Sequence, residues 1–137
     1  MKENLIMSTV YNVLMDEGYR PKREKPDPET VAVTFKSEGH LLGVLPCGDN
    51  YIELSASVGM EYNKKFGRLD LYKLVSSFRC MQVAWIVVKE NKKGMVFVLS
   101  FQSMVLNQND VKSVLDEGIR TIAACVEEIE YEYLIAN

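Results

Sequence analysis

The chain has 137 residues, 47% of them hydrophobic and 26% charged, with a formal net charge of −3. That length suits one domain, 1–137, able to bury roughly two thirds of its unfolded surface. No run of Lys and Arg is long enough to form a phosphate-tracking stripe, which makes nucleic acid a poor candidate partner, and no apolar run nears the ~20 residues of a membrane span.

Residues 3–17 read as an amphipathic helix. Leu5, Ile6, Tyr11, Val13 and Leu14, with Met7 and Val10 between them, recur at three- and four-residue intervals. Gly18 suits the stop, because glycine tolerates a left-handed conformation. The stretch 19–29 follows, with three prolines among its charges (Tyr19 to Glu29). Proline opposes helix and central strand alike, so an exposed connector is expected there.

Three short strands come next. Thr30–Lys36 sets Val31, Val33 and Phe35 against Ala32 and Thr34. Ser37–Gly39 is turn-like, and His40–Pro46 is apolar on both faces. Cys47–Asn50 supplies turn chemistry. Tyr51–Val58 alternates Ile52, Leu54, Ala56 and Val58 against Tyr51, Glu53, Ser55 and Ser57, the pattern of a half-buried antiparallel strand. Residues 59–69 suit a loop or a short helix.

Asp70 is a candidate N-cap for a second helix reaching Met81, with Leu71, Tyr72, Val75 and Phe78 on its apolar side. Val83–Lys89 is apolar on both faces and is expected to be a central strand. Glu90–Gly94 is a hairpin loop and Met95–Ser103 the return strand. Asn107 is a candidate N-cap for the last helix, and Asp110 in its first turn suits the helix dipole. Val111, Val114, Leu115, Ile119, Ile122, Val126 and Ile129 form its apolar stripe. Gly118 within it costs about 1 kcal/mol relative to alanine, which suggests a close helix–sheet contact. The order is α-βββ-α-ββ-α. That predicts an α+β fold in which helices pack on an antiparallel sheet of five strands.

This order resembles the secretion-chaperone-like fold of type III secretion chaperones and of the YbjN-like proteins, described as sensory-transduction regulators. The likeness is carried by "DEGY" (Asp16–Tyr19), "VAVTF…HLLGVL…YIELSAS", "LDLYKLVSSF", "VAWIVVKENKKGMVFVLSF" and "LNQNDVKSVLDEGIRTIAACVEEIE". The resemblance implies a non-enzymatic, protein-binding role, often as a dimer. It brings with it no defined site residue.

Reactive side chains are few. His40 and Cys47 stand at opposite ends of one strand, about 20 Å apart at the usual rise, too far for a nucleophile–base pair. A zinc site needs four suitable ligands. One histidine and the scattered Cys47, Cys80 and Cys125 do not suggest one, and no metal or other cofactor is expected. The wide cysteine spacing fits reduced thiols in a cytoplasmic protein. The N-terminal stretch lacks the continuous apolar core of a signal peptide. Glu128 and Glu132 lie one turn apart on the side away from the apolar stripe and read as a solvated pair. "GVLPCG" lacks the lysine and glycine spacing of a phosphate loop, and no Gly-x-Ser-x-Gly elbow is present.

What remains is apolar surface. Strands 40–46, 83–88 and 95–101 need cover on both faces: a helix, a second subunit or a bound peptide. The expected function is a non-enzymatic interaction module, chaperone-like or regulatory, binding a protein segment or itself as a homodimer. Tyr62, Phe66, Tyr72 and Phe78 are the candidate partner-binding residues, since aromatics serve adaptable interfaces. The alternative is a small-molecule-binding regulatory domain with a pocket between sheet and helices.

Overall fold

The computed structural model describes residues 5–77 and 83–135. The elements are α1 (Leu5–Asp16), β1 (Lys22–Asp27), β2 (Thr30–Ser37), β3 (His40–Pro46), β4 (Tyr51–Glu61), α2 (Arg68–Ser77), β5 (Val83–Glu90), β6 (Gly94–Met104) and, after a short 3-10 turn at Gln108–Asp110, α3 (Val111–Ile135). The strands form one antiparallel sheet of six, in the order β1-β2-β3-β4-β6-β5.

The sixth strand corrects the expectation of five, and the order becomes α-ββββ-α-ββ-α. Residues 22–29 are exposed, while Tyr19 is half-buried and Pro21 buried, and the stretch is not a plain connector: it contains β1, which pairs Lys22 with Thr34 and Glu24 with Ala32. Proline is compatible with a strand at a sheet edge or in a bulge. Pro26 meets both conditions, because β1 is terminal and its register slips between Glu24 and Asp27. The charges that suggested a loop keep this edge soluble. A second correction concerns β5, which was expected to be central and instead ends the sheet.

The turns follow local chemistry. Between β2 and β3 the two-residue turn Glu38-Gly39 has φ of 52° and 83°. Two positive φ values match the right-handed twist of the strands that such a hairpin joins. Asn91 closes the β5–β6 hairpin by accepting from the backbone N–H groups of Lys93 (2.8 Å) and Gly94 (3.1 Å).

Strand alternation sends Val33, Phe35, Val44, Leu54, Val58, Phe97, Leu99 and Phe101 to one face, where all are buried. The helices pack on that same face. α3 crosses β4 and β6, and α1 lies against β2 and α3. α2 touches α3 and sets Tyr72 edge-on to Trp85 of β5. Gly118 lets α3 approach closely, as its place in the stripe suggested: a Cβ there would lie 2.9 Å from Leu54 Cδ2 and 2.9 Å from Phe101 Cδ1.

Helix ends differ in detail from the reading. The buried side of α1 is Met7, Val10 and Leu14, while Leu5 is exposed. α2 starts two residues before Asp70, whose carboxylate accepts from the Gly67 N–H at 2.9 Å from within the first turn. The expected extension to Met81 lies outside the described residues. Asn107 caps as expected. Its side chain accepts from the Asn109 N–H (2.8 Å), and Asp110 accepts in return from the Asn107 N–H (3.3 Å). Asn107→Ala should therefore lower stability by about 1 kcal/mol, read as a fall of a few degrees in melting temperature.

Candidate interaction surface

With the described helices on one face, the other face of the sheet is bare. Register places Thr34, Gly43, Ser55, Ser100 and Ala84 in a row straight across five strands. All five side chains in this row are small. Beside it run Ser57, Val98 and Ile86. Ile86 is 61% exposed, Val88 57% and Leu41 57%. Val96 and Val98 are half-buried. Apolar groups of this size on a strand face are ordinarily covered, and a bare cluster marks a contact surface.

The cluster reaches the sheet's edge at β5. One side of β5 pairs with β6; among the described residues no strand pairs with its other side. Its regular part is Val83–Val87, which is apolar throughout, and a bulge interrupts the ladder before Lys89. An edge that presents unpaired backbone groups on an apolar strand is a template for adding another strand. Edge position, not strand composition, creates this site. The sequence therefore flagged strand 83–88 without identifying Ala84 or Ile86 as contact residues.

The aromatic candidates sit elsewhere. Tyr62, Phe66 and Tyr72 are half-buried and pack against the core. Phe66 lies 5.5 Å from the Tyr133 ring, and Tyr72 lies 6.1 Å from Trp85, with the Arg68 guanidinium 5.2 Å from the Tyr72 ring centre. Arg68 in turn pairs with Glu90. The Tyr62 hydroxyl is buried and meets no hydrogen-bond partner among the described residues. Burial, reinforced by the charge of Glu90, pushes that phenol above its ordinary pKa. Tyr133 ties α3 to this corner by donating to the Glu61 carbonyl at 2.7 Å. Phe78, the fourth candidate, lies outside the described residues.

His40 and Cys47 are divided by face as well as by distance along β3. His40 Nε2 meets Glu130 Oε1 of α3 at 3.3 Å. The Cys47 thiol donates to Glu53 Oε2 at 3.5 Å, on the bare face. Burial, and then the Glu53 carboxylate, push the Cys47 pKa up, which leaves little thiolate at neutral pH. Glu128 and Glu132 are exposed. Among the described residues no group of three His, Cys, Asp or Glu side chains could hold a metal ion. No helix there is long and apolar enough to cross a membrane. Between α3 and β3 lies a cavity of about 280 Å³, floored by Leu42, Ile122 and Val126 and rimmed by His40, Glu127 and Glu130.

The sequence matches no protein-family model and no curated protein. By structure the chain is similar to YbjN from E. coli, at 14% identity and a TM-score of 0.61 over 96% of this chain and 97% of that one. It is also similar to an uncharacterized protein from Methanothermobacter thermautotrophicus, at 12% identity and a TM-score of 0.60 over 93% and 99%. The fold is YbjN-like.

Proposed function

We propose that this chain, built on a YbjN-like fold, is a non-enzymatic interaction module that pairs with a second copy of itself through the β5 edge. The single observation carrying this reading is that β5 ends the sheet with an apolar, unbulged stretch, Val83–Val87. Antiparallel pairing about a two-fold axis at Trp85 sets Val83 opposite Val87 and Ala84 opposite Ile86. Every contact is then apolar, and one patch serves both copies, as a two-fold interface requires. The dimer would extend the sheet and leave the helices of both copies on one side. YbjN is described as a transcription-regulator candidate; a regulatory or chaperone-like role through protein contact is consistent with such an interface. The same edge would accept an extended segment of another protein by strand addition.

Charge placement tests the register. Ala84 and Ile86 are both exposed, so polar substitutes leave the fold intact. The double variant Ala84→Glu with Ile86→Glu places like charges opposite one another at both positions, which is destabilising. Ala84→Lys with Ile86→Glu places opposite charges there. By light scattering the wild type and the Lys/Glu variant should be dimers and the Glu/Glu variant a monomer. A monomeric wild type, or two variants that behave alike, would contradict this pairing.

A further inference from the structure

At the opposite edge of the sheet β1 is too short to cover β2. β1 begins at Lys22, opposite Thr34, so among the described residues no strand lies beside the outer side of β2 from Phe35 onward. The chain reaches β1 from α1 through a tight bend. Gly18 has a φ of 91°, and the Tyr19 N–H returns to the Leu14 carbonyl at 3.0 Å. Tyr19 then sets its ring edge-on to Phe35, with centroids 5.1 Å apart. Bend and uncovered strand border a half-open cavity of about 560 Å³. That lies within the range of about 300–1,000 Å³ common for small-molecule sites.

The lining has two parts. Leu41, 57% exposed, and half-buried Tyr19 supply apolar surface, while Phe35 lies buried behind the edge. Arg20, Lys22 and Lys36 supply three positive charges against one carboxylate, Glu24. Glu24 already accepts a hydrogen bond from Thr34 Oγ1 at 3.4 Å. Among the described residues none of the three cations is engaged in an ion pair. Such a concentration of positive charge stands out in a chain whose net charge is −3.

We propose that this cavity binds a small apolar carboxylate, its anionic head against Arg20, Lys22 and Lys36 and its hydrocarbon body over Leu41 and along the edge beside Tyr19. The guanidinium fork of Arg20 and the two ammonium groups match a carboxylate by charge-assisted hydrogen bonds, and the apolar body replaces water on the rest of the lining. The site is independent of the β5 edge and does not lie between sheet and helices.

The test is an NMR titration of the full chain with three eight-carbon probes that differ only in the head group: octanoate, octanol and octylamine. Octanoate should shift the amides of Tyr19, Lys36 and Leu41 along saturable curves, with octanol and octylamine weaker by about tenfold or more, as expected for loss of a charged hydrogen bond. The double variant Arg20→Gln with Lys36→Gln changes exposed side chains only. It should keep the wild-type melting temperature and bind octanoate about tenfold more weakly. Failure of octanoate to shift these amides, equal binding of all three probes, or undiminished binding by the double variant would overturn the proposal.

Discussion

Replacing Gly118 with valine should cost about 3 kcal/mol or more, a large part of the roughly 5–15 kcal/mol that keeps a domain folded. A first carbon at this position already meets Leu54 and Phe101 at 2.9 Å. Both neighbours are buried, Leu54 fully and Phe101 to within 2%. In a close-packed interior they have no free volume to move into. Valine adds two more carbons, and its β-branch leaves essentially one χ1 rotamer in a helix with which to avoid them. Alanine separates the two effects acting here. It recovers about 1 kcal/mol of helix propensity and meets an overpacking cost of about 1–3 kcal/mol, so a net loss near 1 kcal/mol is expected. Urea unfolding followed by circular dichroism measures both. A stabilised Gly118→Ala variant would show that α3 can ride higher on the sheet than this packing allows.

Gly94→Ala should be about as damaging, near 3 kcal/mol, for a different reason. A Cβ at Gly94 would overlap the Met60 carbonyl oxygen and lie 2.9 Å from the Glu61 Cα. These are backbone atoms of the paired strand β4, so no rotamer change relieves the contact. The strand ends must part, and the Tyr62 N–H bond to the Lys93 carbonyl, 2.7 Å in the native protein, is lost with them. Thermal unfolding should show the loss. Amide exchange should show it concentrated at residues 60–62 and 93–95.

The two glycines differ in how far sequence alone exposes them. Gly118 interrupts a helical stripe, and an interruption that costs helix stability points to a packing reason before any coordinates exist. Gly94 reads as an ordinary hairpin glycine, because its close approach depends on a register with β4 that spans thirty-odd residues of chain. The same division runs through the fold. Tyr51–Val58 was legible from alternation, Met95–Ser103 as the return of a hairpin and the α3 start from Asn107 and Asp110, since each signal is local, whereas the extension of β4 to Glu61, into a stretch read as loop or short helix, rests on pairing with β6. β1 was hidden because its prolines and charges are equally the marks of a loop; only pairing with β2 makes it a strand. Apolar residues on both faces of β5 suggested a central strand, yet the chain order puts β6 between it and β4.

The candidate site was legible by half. Strands with two apolar faces announced that something must cover them. Which residues remain uncovered depends on where the helices lie, and no pattern in 83–88 distinguishes Ile86, bare at the edge, from Trp85, sheltered by Tyr72. The aromatic residues singled out for a groove proved to be held by rings of the chain itself at two of the three described positions.

Hydrogen exchange at β5 in the native protein tests the central claim most directly. In an antiparallel pair alternate residues of each strand turn their N–H groups away from the partner, so an edge strand has one set of amides bonded to β6 and one set facing outward. Self-pairing through β5 predicts that both sets within Val83–Val87 exchange slowly, and that the outward set speeds up in the Glu/Glu variant while the β6-bonded set stays slow. Outward amides that exchange at open-strand rates in the wild type, at concentrations where a dimer should be formed, would contradict it.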